Sequence, residues 1–125
     1  MRKRKDTEAS ELLYKAIVEG MQENKAQDIV VLDLRKLSSA VCDYFVICSG
    51  ESSTQVDGIA NSVARFTRKE LQEKPWHIEG KTNSEWILLD YIDVVCHIFY
   101  KDARKFYELE ELWADGERTN IPNIN

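Results

Sequence analysis

The strongest constraint in this sequence is a strand-length apolar run, Tyr44-Phe-Val-Ile-Cys, that passes through Ser49-Gly50 directly into a long amphipathic helix. Ser52 and Gln55 stand at capping-box spacing, where each side chain satisfies a free backbone amide at a helix start. Val56, Ile59, Ala60, Val63, Phe66 and Leu71 then mark one helical face as far as about Glu73, and Pro75 ends it. Further strand-like runs follow. A strand, a long helix and then more strands is the pattern of a crossover packed on a sheet.

The downstream strands centre on Trp86 to Phe99. Apolar and β-branched residues flank a short polar interruption, Asp90 to Asp93, which predicts a hairpin. With Tyr91 and Ile92 as the turn centre, alternation places Trp86, Leu88 and Asp90 on one face with Val95, His97 and Phe99. Ile87, Leu89, Val94, Cys96 and Ile98 occupy the other face, which is uniformly apolar and therefore the better core.

The remaining segments complete a single domain. Leu13, Ala16, Ile17 and Met21 recur at helical spacing within 7–24, with Asn24 as a left-handed stop. Asp28-Ile-Val-Val-Leu-Asp-Leu has strand length and strand composition, and Trp76-His-Ile-Glu-Gly predicts a short third strand. Asp102 is placed to cap a last helix carrying Phe106, Tyr107, Leu109, Leu112 and Trp113, closed at Asp115-Gly116. The expected fold is α/β with α+β character: helices packed on a mixed sheet of about five strands. It spans 1–116, and 117–125 is expected to be a loose tail.

Composition narrows the function. A net charge of −5 over 125 residues argues against a general grip on nucleic-acid phosphates and suits a basic protein partner. Cys42, Cys48 and Cys96 are odd in number and set among apolar neighbours, which fits buried thiols in a reducing cytoplasm. Met1-Arg-Lys-Arg-Lys lacks the apolar core of a signal peptide, and no run approaches the roughly 20 apolar residues of a membrane span. The basic pentad reads as a solvated terminus.

Candidate chemistry is sparse. Ser49-Gly50 stands where a strand feeds a helix, a place that attracts phosphate, but no GxGxxG or GxxxxGK[ST] surrounds it. A turn and a cap require those residues anyway. His77, His97 and the cysteines lack metal-ligand spacing, so no metal is expected. Cys96 and His97 are adjacent on a strand and point to opposite faces, so their side chains cannot pair as nucleophile and base. Asp90 and Asp93 fit turn acids. The Trp86, Leu88 and Asp90 face stays open between two readings. Either a second helix layer covers it, or it is a protein-binding surface with Tyr91 at its corner, where burying Asp90 unpaired would be costly.

Linked motifs add a resemblance. Trp86-x-Leu-Leu-Asp-Tyr, Val94-Val-Cys-His-Ile-Phe and Arg104-x-Phe-Tyr-x-Leu-Glu-x-Leu-Trp113 resemble the ribosomal silencing factor family (RsfS, or Iojap). Asp28-Ile-Val-Val-Leu-Asp, Asp43-Tyr-Phe-Val-Ile-Cys-Ser-Gly, Ser52-Ser-x-Gln-Val and Glu79-Gly80 fit it in the same order, so the match runs from about Leu12 to Asp115. The resemblance implies a nucleotidyltransferase-like core without catalysis or cofactor, and a homodimer. It also implies binding to ribosomal protein L14 of the large subunit, which blocks subunit joining and represses translation when nutrients are short. By motif, Trp86, Leu88, Asp90 and Tyr91 form the contact, with Glu79 and His97 as lesser candidates. The runner-up is a divergent nucleotidyltransferase using the Ser49-Gly50 turn with Asp90 and Asp93. One position departs: the family commonly has glycine where this chain has Ile92. A β-branched residue resists the positive φ that glycine permits, and a one-residue slip of pairing would exchange the two faces.

Overall fold

A computed structural model describes residues 7–124, so the basic pentad lies outside the described residues. Helix α1 (Thr7–Glu23) buries Leu13, Ala16, Ile17 and Met21, as its period predicts. Its left-handed stop is Lys25, with φ 56, rather than Asn24. Strands β1 (Gln27–Asp33) and β2 (Tyr44–Gly50) pair antiparallel across the intervening loop.

Helix α2 (Ser53–Leu71) starts as expected, the Ser52 hydroxyl accepting the Gln55 amide at 3.1 Å. The Gln55 side-chain Oε1 in turn accepts the backbone amide of Glu51, one residue before the cap. Gln72, with φ 56, closes the helix ahead of Pro75. Then come β3 (His77–Glu79), β4 (Trp86–Asp90) and β5 (Val94–Tyr100). The sheet order is β3-β4-β5-β2-β1-β6, where β6 is Glu117–Ile121. Among the described residues only β2 and β5 run parallel, and α2 makes the crossover toward that pair. A mixed α/β fold is therefore correct, with six strands among the described residues rather than about five.

Two expectations fail in the last segment. The stretch expected to be a loose tail is β6, an edge strand pairing Ile29 with Ile121 and Asp33 with Glu117. Its residues are mostly exposed, so it carries no apolar alternation; backbone pairing along the open edge of β1 orders it instead. The expected single helix is two, α3 (Lys101–Tyr107) and α4 (Leu109–Leu112), broken at Glu108 with φ 48. Asp102 lies in the first turn of α3 and does not cap it.

The β4–β5 turn sits one residue later than predicted. Asp90 pairs with Val95, Leu88 with His97 and Trp86 with Phe99. Every partner has moved by two residues, so the faces keep their identities, because side chains alternate with period two. Ile92 takes φ 77, while Asp90 Oδ1 accepts its amide at 2.7 Å. Ile92 is exposed, so its side chain gives little packing in return for that backbone strain. Ile92→Gly is expected to stabilise the fold by about 1 kcal/mol, the relieved strain outweighing the added freedom of the unfolded chain. Chemical denaturation checks this, and a lowered midpoint would refute it.

Two cores flank the sheet. On one side α1 and α2 cover Ile29, Val31, Val46, Ile87, Leu89, Cys96 and Ile98. The Ser62 hydroxyl, which donates to Gly20 O at 2.7 Å, ties those helices together. On the other side Val30, Leu32, Phe45, Ile47, Val95, Phe99 and Leu109 form a smaller cluster, with Trp86, Leu88 and Trp113 packed at its margin. Cys42, Cys48 and Cys96 are all buried and none is in a disulfide.

Candidate functional site

The smaller cluster divides its sheet face in two. α3, α4 and the β1–β2 loop cover the part built on β5, β2 and β1, so Val95, His97 and Phe99 are buried. The β3–β4 part stays open: Trp86, Leu88 and Asp90 are half-buried, and Glu79 and His77 are exposed. Cross-strand pairing puts Glu79 beside Leu88 and His77 beside Asp90. The result is a strip of indole, leucine and two carboxylates at one margin of the sheet. A helix layer thus covers one half of this face, as one of the two readings expects, and leaves the other half open.

The indole of Trp86 is closely held. It stacks on Phe99 at 4.9 Å between ring centres, meets Tyr107 at 4.7 Å, and donates its Nε1–H to His97 Nδ1 at 3.1 Å. Tyr107 is brought there by Arg104. That guanidinium donates to Glu110 Oε2 at 2.7 and 3.1 Å, to the carbonyl of Asp28 at 2.6 Å and to the Ser49 hydroxyl at 2.8 Å. Burial pushes the Glu110 carboxyl up, but its bonds to Arg104 outweigh this and hold it below its ordinary range. One cation thus ties α3 to α4, β1 and β2, and fixes the helix that walls the indole.

Two residues expected at the contact are not on the surface. Tyr91 is buried on the α2 side, its hydroxyl 2.8 Å from Thr67 Oγ1, and burial raises its phenol pKa. Alternation explains this: Tyr91 follows Asp90 and so turns to the opposite face. His97 lies on the right face but is only 4 % exposed, beneath the covered half. Burial lowers its pKa to about 3, so the ring is neutral and, with Nδ1 accepting, carries its proton on Nε2. Glu79 does lie on the strip, its carboxylate 3.2 Å from His77 Nε2. Tyr107 is the residue that sequence reasoning missed, because helical spacing assigned it to a core helix without revealing the break at Glu108.

The nucleotide alternative is not assembled. Ser49 spends its hydroxyl on Arg104, and Ser52 caps α2. A cavity of about 420 Å³ beside Ser52 is lined by Glu51, Ser52, Ser53, Asn83, Glu85 and Tyr100, with Lys101 Nζ 3.5 Å from Glu51 Oε2, while Ser49 lines a separate cavity of about 680 Å³ with Lys101, Arg104, Lys105 and Arg118. Asp93 bonds through its carbonyl to the amide at the start of β2, whereas Ser49-Gly50 ends that strand. Six strand steps, about 20 Å, separate the two ends, so one substrate phosphate cannot engage both. Among the described residues, no group of three or more metal-ligating side chains converges, and no helix is long and apolar enough to cross a membrane.

Fold and site together define a mixed α/β domain that offers an aromatic and acidic strip at one margin of its sheet. Comparison with known proteins specifies the kind. Residues 6–125 match the family described as ribosomal silencing factor during starvation. The ribosomal silencing factor RsfS of Bacillus subtilis is 38 % identical over 110 residues, covering 87 % of this chain and 91 % of that protein. The RsfS of Halalkalibacterium halodurans is 33 % identical over 112 residues, covering 90 % and 94 %. A crystal structure of a Chromobacterium violaceum protein superposes with a TM-score of 0.78 at 34 % identity, covering 83 % of this chain and 85 % of that one. The chain belongs to the RsfS family of ribosomal silencing factors.

Proposed function

We propose that this protein binds the large ribosomal subunit through ribosomal protein L14 and keeps the small subunit from joining, repressing translation when nutrients are limiting. The observation that carries the reading is the open β3–β4 strip, where Trp86 and Leu88 offer apolar area and Glu79 and Asp90 supply negative charge. Aromatic anchors inside a polar rim are the chemistry of protein recognition, and carboxylates suit a cationic ribosomal protein. Repression of this kind is occlusion. The protein turns nothing over and needs no cofactor; it must only hold the subunit tightly enough to compete with its partner.

The test uses purified subunits at a magnesium concentration that joins them. Preincubating large subunits with excess protein is expected to abolish the joined peak in a sucrose gradient, with the protein co-migrating with the large subunit. Joined particles at undiminished yield would overturn the proposal.

A further inference from the structure

The sequence motif offers His97 as a contact, yet its burial bars it from touching any partner. Two observations ask what it does instead. Its Nδ1 accepts the indole N–H of Trp86 at 3.1 Å. Its Nε2, also buried, has no hydrogen-bond partner among the described residues. A leucine or phenylalanine would fill this place without stranding a polar atom, so packing alone does not account for an imidazole. The ring is held edge-to-face by Phe45, at 4.7 Å and 76°.

Stacking on Phe99 and contact with Tyr107 fix the plane of the indole, but face contact tolerates a half-turn of the ring about its Cβ–Cγ bond, which keeps that plane and exchanges its edges. A hydrogen bond at Nε1 selects which edge turns inward, and hence which edge faces outward. We infer that His97 is the positioning residue of Trp86, its Nδ1 setting the orientation in which the indole is presented at the strip. The inference rests on the docking reading for its consequence, since orientation matters to affinity only if Trp86 docks. It is testable without the ribosome. The tautomer requirement is strict, because an Nδ1 that carries a proton cannot accept.

The experiment follows the Trp86 indole proton in the ¹⁵N-labelled full chain, assigned with Trp86→Phe, in wild type, His97→Phe and His97→Asn. Phenylalanine keeps a ring without an acceptor, whereas the asparagine oxygen falls near the place of Nδ1. In wild type, the Trp86 indole proton is expected to exchange with solvent far more slowly than that of Trp76, which is 78 % exposed. In His97→Phe it should shift upfield and lose that protection, and large-subunit affinity should fall about tenfold, the worth of one hydrogen bond. His97→Asn should restore both. An unmoved indole signal in His97→Phe, or a His97→Asn spectrum like that of His97→Phe, would overturn the inference, as would a wild-type indole exchanging as fast as Trp76. Should His97→Phe fail to fold, the wild-type exchange rate and His97→Asn still decide it. If Trp86→Ala binds subunits normally, the docking reading fails, while the spectra still judge the role of His97.

Discussion

Trp86→Ala combined with Asp90→Arg is expected to leave large subunits unbound while the sheet still forms. Removing a central aromatic anchor costs about 2–4 kcal/mol of binding. Turning a carboxylate into a guanidinium before a cationic partner replaces attraction with repulsion, worth a few kcal/mol more. Together the loss is about 4 kcal/mol or more, a thousandfold in Kd. The fold survives because the main core lies on the other side of the sheet, where Ile87, Leu89, Cys96 and Ile98 are untouched. Some stability is lost: the indole leaves Phe99 and Tyr107, and the Ile92 amide loses Asp90 as acceptor. Together these cost about 2–3 kcal/mol. Co-sedimentation with large subunits measures the first effect and circular dichroism through thermal melting the second. Full co-sedimentation of the double variant would place the contact elsewhere.

The same residues show how far the sequence can be read. The two faces of the hairpin were legible because alternation has period two, so a turn displaced by one residue moved each partner by two and exchanged nothing. That rule also settles Tyr91, which the motif grouped with the contact and which strand parity sends to the α2 core. Coverage was not legible. Whether half a face is sealed depends on α3 and α4 arriving from later in the chain, and their break at Glu108 has no periodic signal. That break leaves Phe106 and Leu112 exposed, at 81 % and 75 %, although both share a helical spacing with the buried Leu109. Strand β6 escaped for a related reason: Glu-Arg-Thr-Asn-Ile is ordered by the backbone edge it meets, and side-chain pattern carries no trace of that edge. The ion pair that holds α3 beside Trp86 joins residues six positions apart across the helix break, a spacing that no regular helix uses for a contact.

Gly80→Ala should have the largest effect on stability of any single methyl added at the margin of the site. Gly80 follows β3 with φ +90, a conformation that an alanine adopts only under strain. Its added Cβ would also run into the carbonyl oxygen of Trp86 and lie 2.9 Å from that carbonyl carbon and 3.2 Å from Ile87 Cα. All three are backbone atoms of β4, so no side chain can turn aside to make room. Relief requires β3 to peel from β4, which breaks the pairs of Glu79 with Leu88 and Ile78 with Leu89. Backbone strain of about 1–3 kcal/mol and the lost pairing together should cost about 3 kcal/mol or more. For a chain of this length that lowers Tm by about 10 °C. Gly116→Ala is the matched control: its Cβ would meet a terminal methyl of the buried Leu34 at 2.8 Å and the carbonyl oxygens of Asp33 and Trp113 no closer than 3.3 Å, and its backbone φ is not positive. Its Tm should fall by less than half as much. Because the displaced strand carries Glu79 and abuts Trp86, Gly80→Ala should also weaken subunit binding under conditions where it is still folded, whereas Gly116→Ala should not. Equal melting temperatures for the two variants would show that β3 is held loosely enough to absorb the methyl, and that the strip has no rigid outer strand.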